Sequence, residues 1–133
     1  MQWILGYESW ANSTQPNFGG IIIDFNTGVP NPYFHYTNMN FFHTSAGLCD
    51  TSGQLFCYTN GIYMANRNDN VMLHGDSLGY GAFWQQDRQF GLSATQAFAV
   101  VLPVPCQEHC AVVFYKHLTS DPNGMIAPLG ASY

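Results

Sequence analysis

Turn signals recur at short intervals along this chain, and each one limits the regular element before it to a few residues. They lie at residues 26–28 (NTG), 50–53 (DTSG), 60–61 (NG) and 120–124 (SDPNG). Glycine and asparagine tolerate the backbone conformations that tight turns require. The runs between the turns are β-branched and aromatic, as in III at 21–23 and LFCYT at 55–59, and such residues favour strands. The pattern predicts an antiparallel all-β fold.

The same turn signals delimit the individual strands. Strands are expected in residues 18–25, 46–49, 54–59, 93–103 and 111–119, and a further one is expected to begin in the tail at 125–133. Pro30 and Pro32 restrict the segment after the first turn to loop or edge strand. Residues 61–81 indicate a short strand and a long loop. Residues 93–101 (SATQAFAVV) also fit a helix, but the β-branched end and the prolines that follow favour a strand.

The charge content excludes several classes of partner. Only 8% of the 133 residues are charged, against about a quarter in a typical soluble domain, so the surface is polar and nearly uncharged. Such surfaces are common in secreted β-proteins. The net charge is −5, and the three cations Arg67, Arg88 and Lys116 are too few to neutralise a row of phosphates. We therefore expect no nucleic-acid partner, and no apolar run is long enough for a membrane span.

Four cysteines allow two disulfides in three pairings. Cys106 and Cys110 flank a three-residue connection between two apolar strands, and a bridge between them is predicted. Cys49 and Cys57 flank the DTSG turn. A two-residue turn would place these two cysteines on opposite faces, and a three-residue loop would leave them diagonal. A bridge and a pair of buried free thiols therefore stay equally open for Cys49 and Cys57.

No residue pattern predicts a cofactor, a metal or a catalytic site. Zinc at Cys106, His109 and Cys110 would need a second ligand pair at a defined spacing, and residues 66–70 (NRNDN) fit no calcium loop. No nucleophile elbow occurs. Of the eight acidic residues, Asp24, Asp50, Asp69 and Asp121 lie in turn contexts, where the side chain accepts a backbone N–H. The residues expected to form turns are Asp24, Gly28, Asp50, Gly53, Asn60 and Gly61.

The order of several motifs resembles a known family. These are the segments at 18–28 (FGGIIIDFNTG), 46–61 (AGLCDTSGQLFCYTNG), 63–78 (YMANRNDNVMLHGDSL), 93–105 (SATQAFAVVLPVP) and 112–121 (VVFYKHLTSD). Together they resemble the amino-terminal modules of large secreted and surface proteins of the Bacteroidetes lineage, exported by type IX secretion. The resemblance covers roughly residues 17–121. It departs from the family pattern at Cys49, Cys57 and Ala65, where the family has other residues.

The resemblance implies the first blades of a β-propeller. A blade needs about 40 to 50 residues, so the chain would hold about two to three blades as a single all-β domain or propeller fragment, 1–133. A small β-sandwich is the alternative. Ser77 in Asp-Ser-Leu matches an O-glycosylation signal of that lineage, and Asn12 in Asn-Ser-Thr is a formal N-glycosylation acceptor.

The function expected from this resemblance is non-enzymatic. The chain would be a secreted or cell-surface module for binding or adhesion within a larger protein. Its partners would be a protein or glycan ligand of unknown identity and the rest of its own parent chain. One alternative is a fragment of a secreted propeller hydrolase acting on glycans, with Asp87 or Glu8 in a central pocket. Another is a structural subunit that assembles through exposed strand edges.

Overall fold

A computed structural model describes residues 1–7, 19–91, 99–105, 110–115, 117–120 and 126–129. The prediction of an antiparallel all-β fold is confirmed, because the described residues form small antiparallel sheets and one short helix. In chain order the elements are β1 Gln2–Tyr7, β2 Gly19–Asp24, β3 Asn31–His35, β4 Ala46–Cys49, β5 Leu55–Thr59, β6 Met64–Asn66, α1 Ala82–Asp87, β7 Ala99–Pro103, β8 Ala111–Tyr115, β9 His117–Ser120 and β10 Ile126–Leu129. None of the helices in these residues has the length and apolar character that crossing a bilayer requires.

The first sheet has the order β1-β2-β3, and its two faces differ. Ile4 pairs with Ile22, and both side chains are buried against the second sheet. The opposite face carries Leu5, Ile21 and Phe34, which lie side by side in the register and are exposed. Strand β3 is an edge of this sheet, as expected for a segment that contains Pro32.

The second sheet has the order β4-β5-β6 and contains an irregularity that controls which way its cysteines point. Leu48 pairs with Cys57, whereas the next residue, Cys49, pairs with Leu55. Phe56 is therefore an extra, bulged residue in β5. Because successive residues alternate in direction, Cys49 faces the first sheet and Cys57 faces the other side.

The second sheet lies in the middle of the layers. One apolar cluster joins it to the first sheet through Ile4, Ile22, Leu55 and Tyr58. A second cluster on its other face is built from the buried residues Cys57, Met64 and Val101, with Ala111 and Val113 packed against it. This second cluster joins the middle sheet to the β7–β8 pair. Strands β9 and β10 form a further pair.

Side chains and loops cover two edges of these sheets. The Cys49 thiol accepts a hydrogen bond from the Gln2 N–H at 3.1 Å and donates one to the Gln2 carbonyl at 3.2 Å. Ser45 Oγ donates to the Ile4 carbonyl at 2.8 Å. The edge of β6 is covered by residues 70–75, because the Met64 N–H donates to the Gly75 carbonyl at 2.7 Å. These contacts satisfy backbone groups that an open edge would leave unpaired.

Helix α1 and strand β1 were not predicted from the sequence. Gly81 precedes the helix and supplies no side-chain cap, so no capping signal marks its start. Tertiary contacts hold the helix instead: Trp84 Nε1 donates to the Ile62 carbonyl at 2.9 Å, and Phe83 packs on the buried Ile62. The stretch weighed as a possible helix is strand from Ala99 onward, and residues 93–98 lie outside the described residues.

Candidate ligand-binding cleft

An open cleft of about 870 Å³ lies between the β4–β5 turn, the turn after β6, and the end of β7. This volume is in the range of about 300 to 1,000 Å³ that is usual for small-ligand sites. The lining residues are Leu48, Cys49, Asp50, Thr51, Ser52, Phe56, Asn66, Arg67, Asn68, Pro103, Val104, Pro105 and Cys110. They come from three separate parts of the chain.

The β4–β5 turn forms one polar side of the cleft. Asp50 Oδ1 accepts hydrogen bonds from the Ser52 N–H at 3.0 Å, the Ser52 hydroxyl at 2.6 Å and the Gln54 N–H at 3.0 Å. The backbone closes the same turn, since the Gly53 N–H donates to the Asp50 carbonyl at 2.9 Å. The hydrogen bond from Ser52 and then the Arg67 guanidinium hold the pKa of Asp50 well below its usual range. The carboxylate is therefore ionised near neutral pH, and the turn is ordered before any ligand binds.

The turn after β6 forms the second polar side. Arg67 Nη2 donates to Asp50 Oδ2 at 2.5 Å and links the two turns across 17 positions of sequence. Asn66 Oδ1 accepts from the Asn68 N–H at 2.9 Å and the Asn70 N–H at 3.2 Å, as in an Asx turn. The wall is therefore fixed by hydrogen bonds within the chain. Residues 66–70 were weighed as a calcium loop, and the structure uses Asn66 to close a turn.

The remaining side of the cleft is apolar. Pro103 and Pro105 are exposed and Val104 is half-buried between them. The Val104 N–H donates to the Cys110 carbonyl at 3.3 Å, and proline has no N–H. Phe56, the bulged residue of β5, also lines the cleft and lies beside the second turn, because its carbonyl accepts the Arg67 N–H at 3.2 Å. The cleft thus combines a polar wall with an apolar one.

A partly buried polar cluster adjoins the second turn. The Tyr58 hydroxyl donates to Asp69 Oδ1 and also bonds to Thr37 Oγ1, which lies 2.9 Å away. Burial and then the hydrogen bond to Asp69 raise the pKa of Tyr58. His35 Nε2 lies 4.0 Å from Asp69 Oδ2 and, among the described residues, has no hydrogen-bond partner. Asp69 adopts φ 63, a conformation that aspartate tolerates better than most residues. The cluster ties β3 to β5 and to the turn that lines the cleft.

Cys49 and Cys57 are free thiols and form no bridge with each other. The closing pairs are those of the three-residue loop, since the Asp50 N–H donates to the Gln54 carbonyl and Cys49 pairs with Leu55, but the bulge at Phe56 turns Cys57 to the opposite face from Cys49. Cys49 bonds to Gln2, whereas Cys57 is fully buried in the second cluster. Burial, and to a smaller degree the nearby Cys49, raises the pKa of Cys57 to about 12. Cys106 lies outside the described residues, so its bridge to the exposed Cys110 stays a prediction.

The other residues singled out in the sequence lie apart from the cleft. Asp24 Oδ1 accepts the Asn26 N–H at 2.8 Å, and Gly28 adopts φ 83 in the same turn. Asn60 Oδ1 accepts the Ile62 N–H at 3.0 Å, and Gly61 follows at φ 84. Of the residues named for glycosylation or catalysis, Ser77 is exposed in a loop, Asp87 is buried in α1, and Asn12 and Glu8 lie outside the described residues.

Sequence reasoning identified Asp50 and Gly53 as turn residues but not the cleft. It does not identify Arg67, Asn68 or Phe56 as lining residues, and from the Pro-x-Pro at 103–105 it predicts only the end of a strand. That Pro-x-Pro was the available signal, since prolines on both sides of a residue remove the N–H groups that would extend the sheet. No local sequence signal connects this Pro-x-Pro with residues 50–53 of the β4–β5 turn.

No group of three or more histidine, cysteine, aspartate or glutamate side chains in the described residues could hold a metal ion. Comparison with known proteins identifies no relative of this chain. The chain matches no protein-family model, no curated protein and no solved structure.

Proposed function

We propose that this protein is a non-enzymatic, extracellular binding module, part of a larger secreted or cell-surface protein, and that the cleft takes its ligand. The observation that carries the proposal is the cleft itself, with a polar wall fixed by intrachain hydrogen bonds facing an apolar wall. Preordered groups lose less entropy on binding than mobile ones, so such a wall suits recognition. The low charge content supports the extracellular setting.

The order of the sheets supports a propeller fragment. The sheets β1–β3, β4–β6 and β7–β8 follow the chain order, and the middle one packs a different face against each neighbour. Successive blades of a propeller stack in this way. We propose that these sheets are successive blades of a partial propeller.

The hydrolase alternative has less support. Glycoside hydrolysis requires a pair of carboxyl groups on either side of the scissile bond. Asp50 is the one carboxylate in the described lining of the cleft, and it is engaged by its own turn and by Arg67. The other described aspartates lie outside the cleft lining. Asp24 is in a turn, Asp69 accepts a hydrogen bond from the Tyr58 hydroxyl, Asp76 is in a loop and Asp87 is in α1. This distribution favours binding over cleavage.

Assembly through strand edges finds its best support at β3. This strand is an edge of the first sheet, and Tyr33 and Phe34 on it are exposed. The molar mass in solution, measured by light scattering, distinguishes a monomeric binding module from such an assembly.

The binding function is tested by nuclear magnetic resonance of the full chain labelled with ¹⁵N. Neutral oligosaccharides, acidic oligosaccharides and a proline-rich peptide are titrated separately, and incubated samples are assayed for released reducing ends. We expect one class to shift the amide signals of residues 50–53 and 66–68 without any cleavage. The binding proposal is wrong if no class shifts these signals, and the non-enzymatic one is wrong if reducing ends accumulate.

A further inference from the structure

We infer that the ligand of the cleft is a neutral oligosaccharide, an inference that rests on the proposed binding function. The described lining contains one cation and one anion, Arg67 and Asp50, and their side chains pair at 2.5 Å. This pair leaves the described lining without net charge. A ligand with several phosphates, sulfates or carboxylates would find no unpaired cation there. Charge complementarity therefore favours a neutral ligand.

The turn after β6 offers hydrogen-bond donors, and the side chains of Arg67 and Asn66 are held in position by bonds within the chain. The guanidinium of Arg67 has five N–H donors, and its bond to Asp50 uses one of them. Asn66 uses its carbonyl oxygen to close the turn, and its amide N–H groups are then available to a ligand. Asn68 is exposed and adds a second amide. A guanidinium and two amides held by one turn can bond to neighbouring hydroxyl groups on a sugar ring.

The apolar lining matches the faces of the same ring. Pro103, Val104 and Pro105 present aliphatic surface, and Phe56, beside Arg67, adds an aromatic ring. A pyranose carries C–H groups on its faces and hydroxyl groups on its rim. Its faces gain from burial against apolar side chains, while its rim gains from donors and acceptors. One ligand class therefore satisfies both walls, and the volume of about 870 Å³ accommodates more than one ring.

A peptide strand fits the cleft less well. An extended peptide binds a sheet edge through main-chain hydrogen bonds, which require free backbone N–H groups. Pro103 and Pro105 have none, and the Val104 N–H already donates to the Cys110 carbonyl. The apolar wall therefore provides no backbone donor to a peptide over these residues.

The test uses the full chain and four named probes: hexasaccharides of glucose, of mannose and of galacturonic acid, and a proline-rich peptide. Amide signals locate the site, and titration calorimetry gives the dissociation constant. We expect a neutral hexasaccharide to shift residues 50–53 and 66–68, with less than about a twofold change in affinity between low and high salt, because an uncharged ligand is not screened.

Two variants and a matched control connect the binding to the walls. Asn68→Ala removes an exposed amide, and Phe56→Leu replaces the ring with an aliphatic side chain. Each is expected to weaken binding about fivefold, the value of one modest contact. Asn31→Ala removes an exposed asparagine on β3, away from the cleft, and is expected to change nothing. The amide spectrum of each variant verifies that the chain is folded.

The outcomes separate the two proposals. Cleft signals that move with the galacturonic acid hexasaccharide or the peptide, and not with a neutral sugar, overturn the inference and leave the binding function standing. Neutral-sugar binding that Asn68→Ala and Phe56→Leu leave unchanged also overturns it. If no probe moves the cleft signals, the binding function itself is contradicted.

Discussion

At the scale of single residues, Cys49 and Gln2 hold two sheets together without a shared ladder. The thiol bonds to both backbone groups of Gln2, and the Gln2 side chain in turn accepts the Leu55 N–H at 2.8 Å and donates to Asp24 at 2.9 Å. Gln2 is buried, so each of these groups would lose water without gaining a partner if the contacts were removed. Cys49, for which the sequence leaves a disulfide and a free thiol equally open, thus acts as a hydrogen-bonding group.

Cys49→Val should destabilise the fold by about 1–3 kcal/mol, because it leaves the N–H and carbonyl of Gln2 unpaired. Cys49→Ser retains a donor and an acceptor and should cost less. Urea unfolding followed by tryptophan fluorescence measures both, and Ser77→Val, at an exposed loop position, serves as the control. Equal stability of the valine and serine variants would show that these hydrogen bonds do not stabilise the sheet contact.

At the scale of elements, two glycine turns have the same backbone conformation in different surroundings. Gly28 adopts φ 83 and Gly53 adopts φ 79. A Cβ atom at Gly28 would meet nothing within 4 Å, whereas one at Gly53 would collide with Asn26 Oδ1 and the backbone nitrogen of Met1. Gly53 of the β4–β5 turn thus packs against Asn26 of the β2–β3 turn, whereas the space around Gly28 in that β2–β3 turn is open.

This pair of turns separates backbone strain from crowding. Gly28→Ala should cost only the left-handed conformation, about 1–2 kcal/mol. Gly53→Ala should cost more, because Asn26 and Met1 must also move. The difference in unfolding free energy between the two variants measures the crowding, and thermal or urea unfolding gives both values. Equal destabilisation would mean that Asn26 and Met1 can move away from a Cβ atom at residue 53 without a cost in stability.

The elements that could be predicted are those marked by local signals. Asp50 and Gly53 predict their turn, and Ile21 to Ile23 predict a strand. The turn preference of aspartate and glycine and the strand preference of isoleucine act over only a few residues. The bulge at Phe56 and helix α1 carry no such signal and depend on contacts with distant residues, such as that of Trp84 with Ile62. Predicting the cleft would likewise have required knowledge of contacts between distant residues. Arg67 reaches Asp50, and Pro103 approaches both, only after folding.

At the scale of the whole molecule, three layers of sheet enclose several groups that resist ionisation. Burial raises the pKa of Tyr58 and Tyr63, with Asp69 adding to the effect, and raises the pKa of Cys57 to about 12. Each group is neutral in the folded chain over a range where it would ionise in the unfolded chain. For all three the folded pKa exceeds the unfolded one, so their contribution to stability is complete at low pH and declines as pH rises.

The free energy of unfolding should therefore fall as pH rises above about 9 to 10, where free cysteine and tyrosine begin to ionise. Urea unfolding at a series of alkaline pH values gives the slope. Tyr58→Phe removes one of the ionising groups and should flatten that slope, although it also loses the bonds to Asp69 and Thr37. A slope unchanged by Tyr58→Phe, or a stability constant to about pH 11, would contradict this account.

The placement of two thiols has a kinetic consequence. Cys57 is fully buried between the second sheet and the β7–β8 pair, whereas Cys49 is half-buried and lines the cleft. An alkylating reagent therefore reaches Cys57 only when these two layers part. The modification rate of Cys57, read against that of Cys49, reports how often they do so.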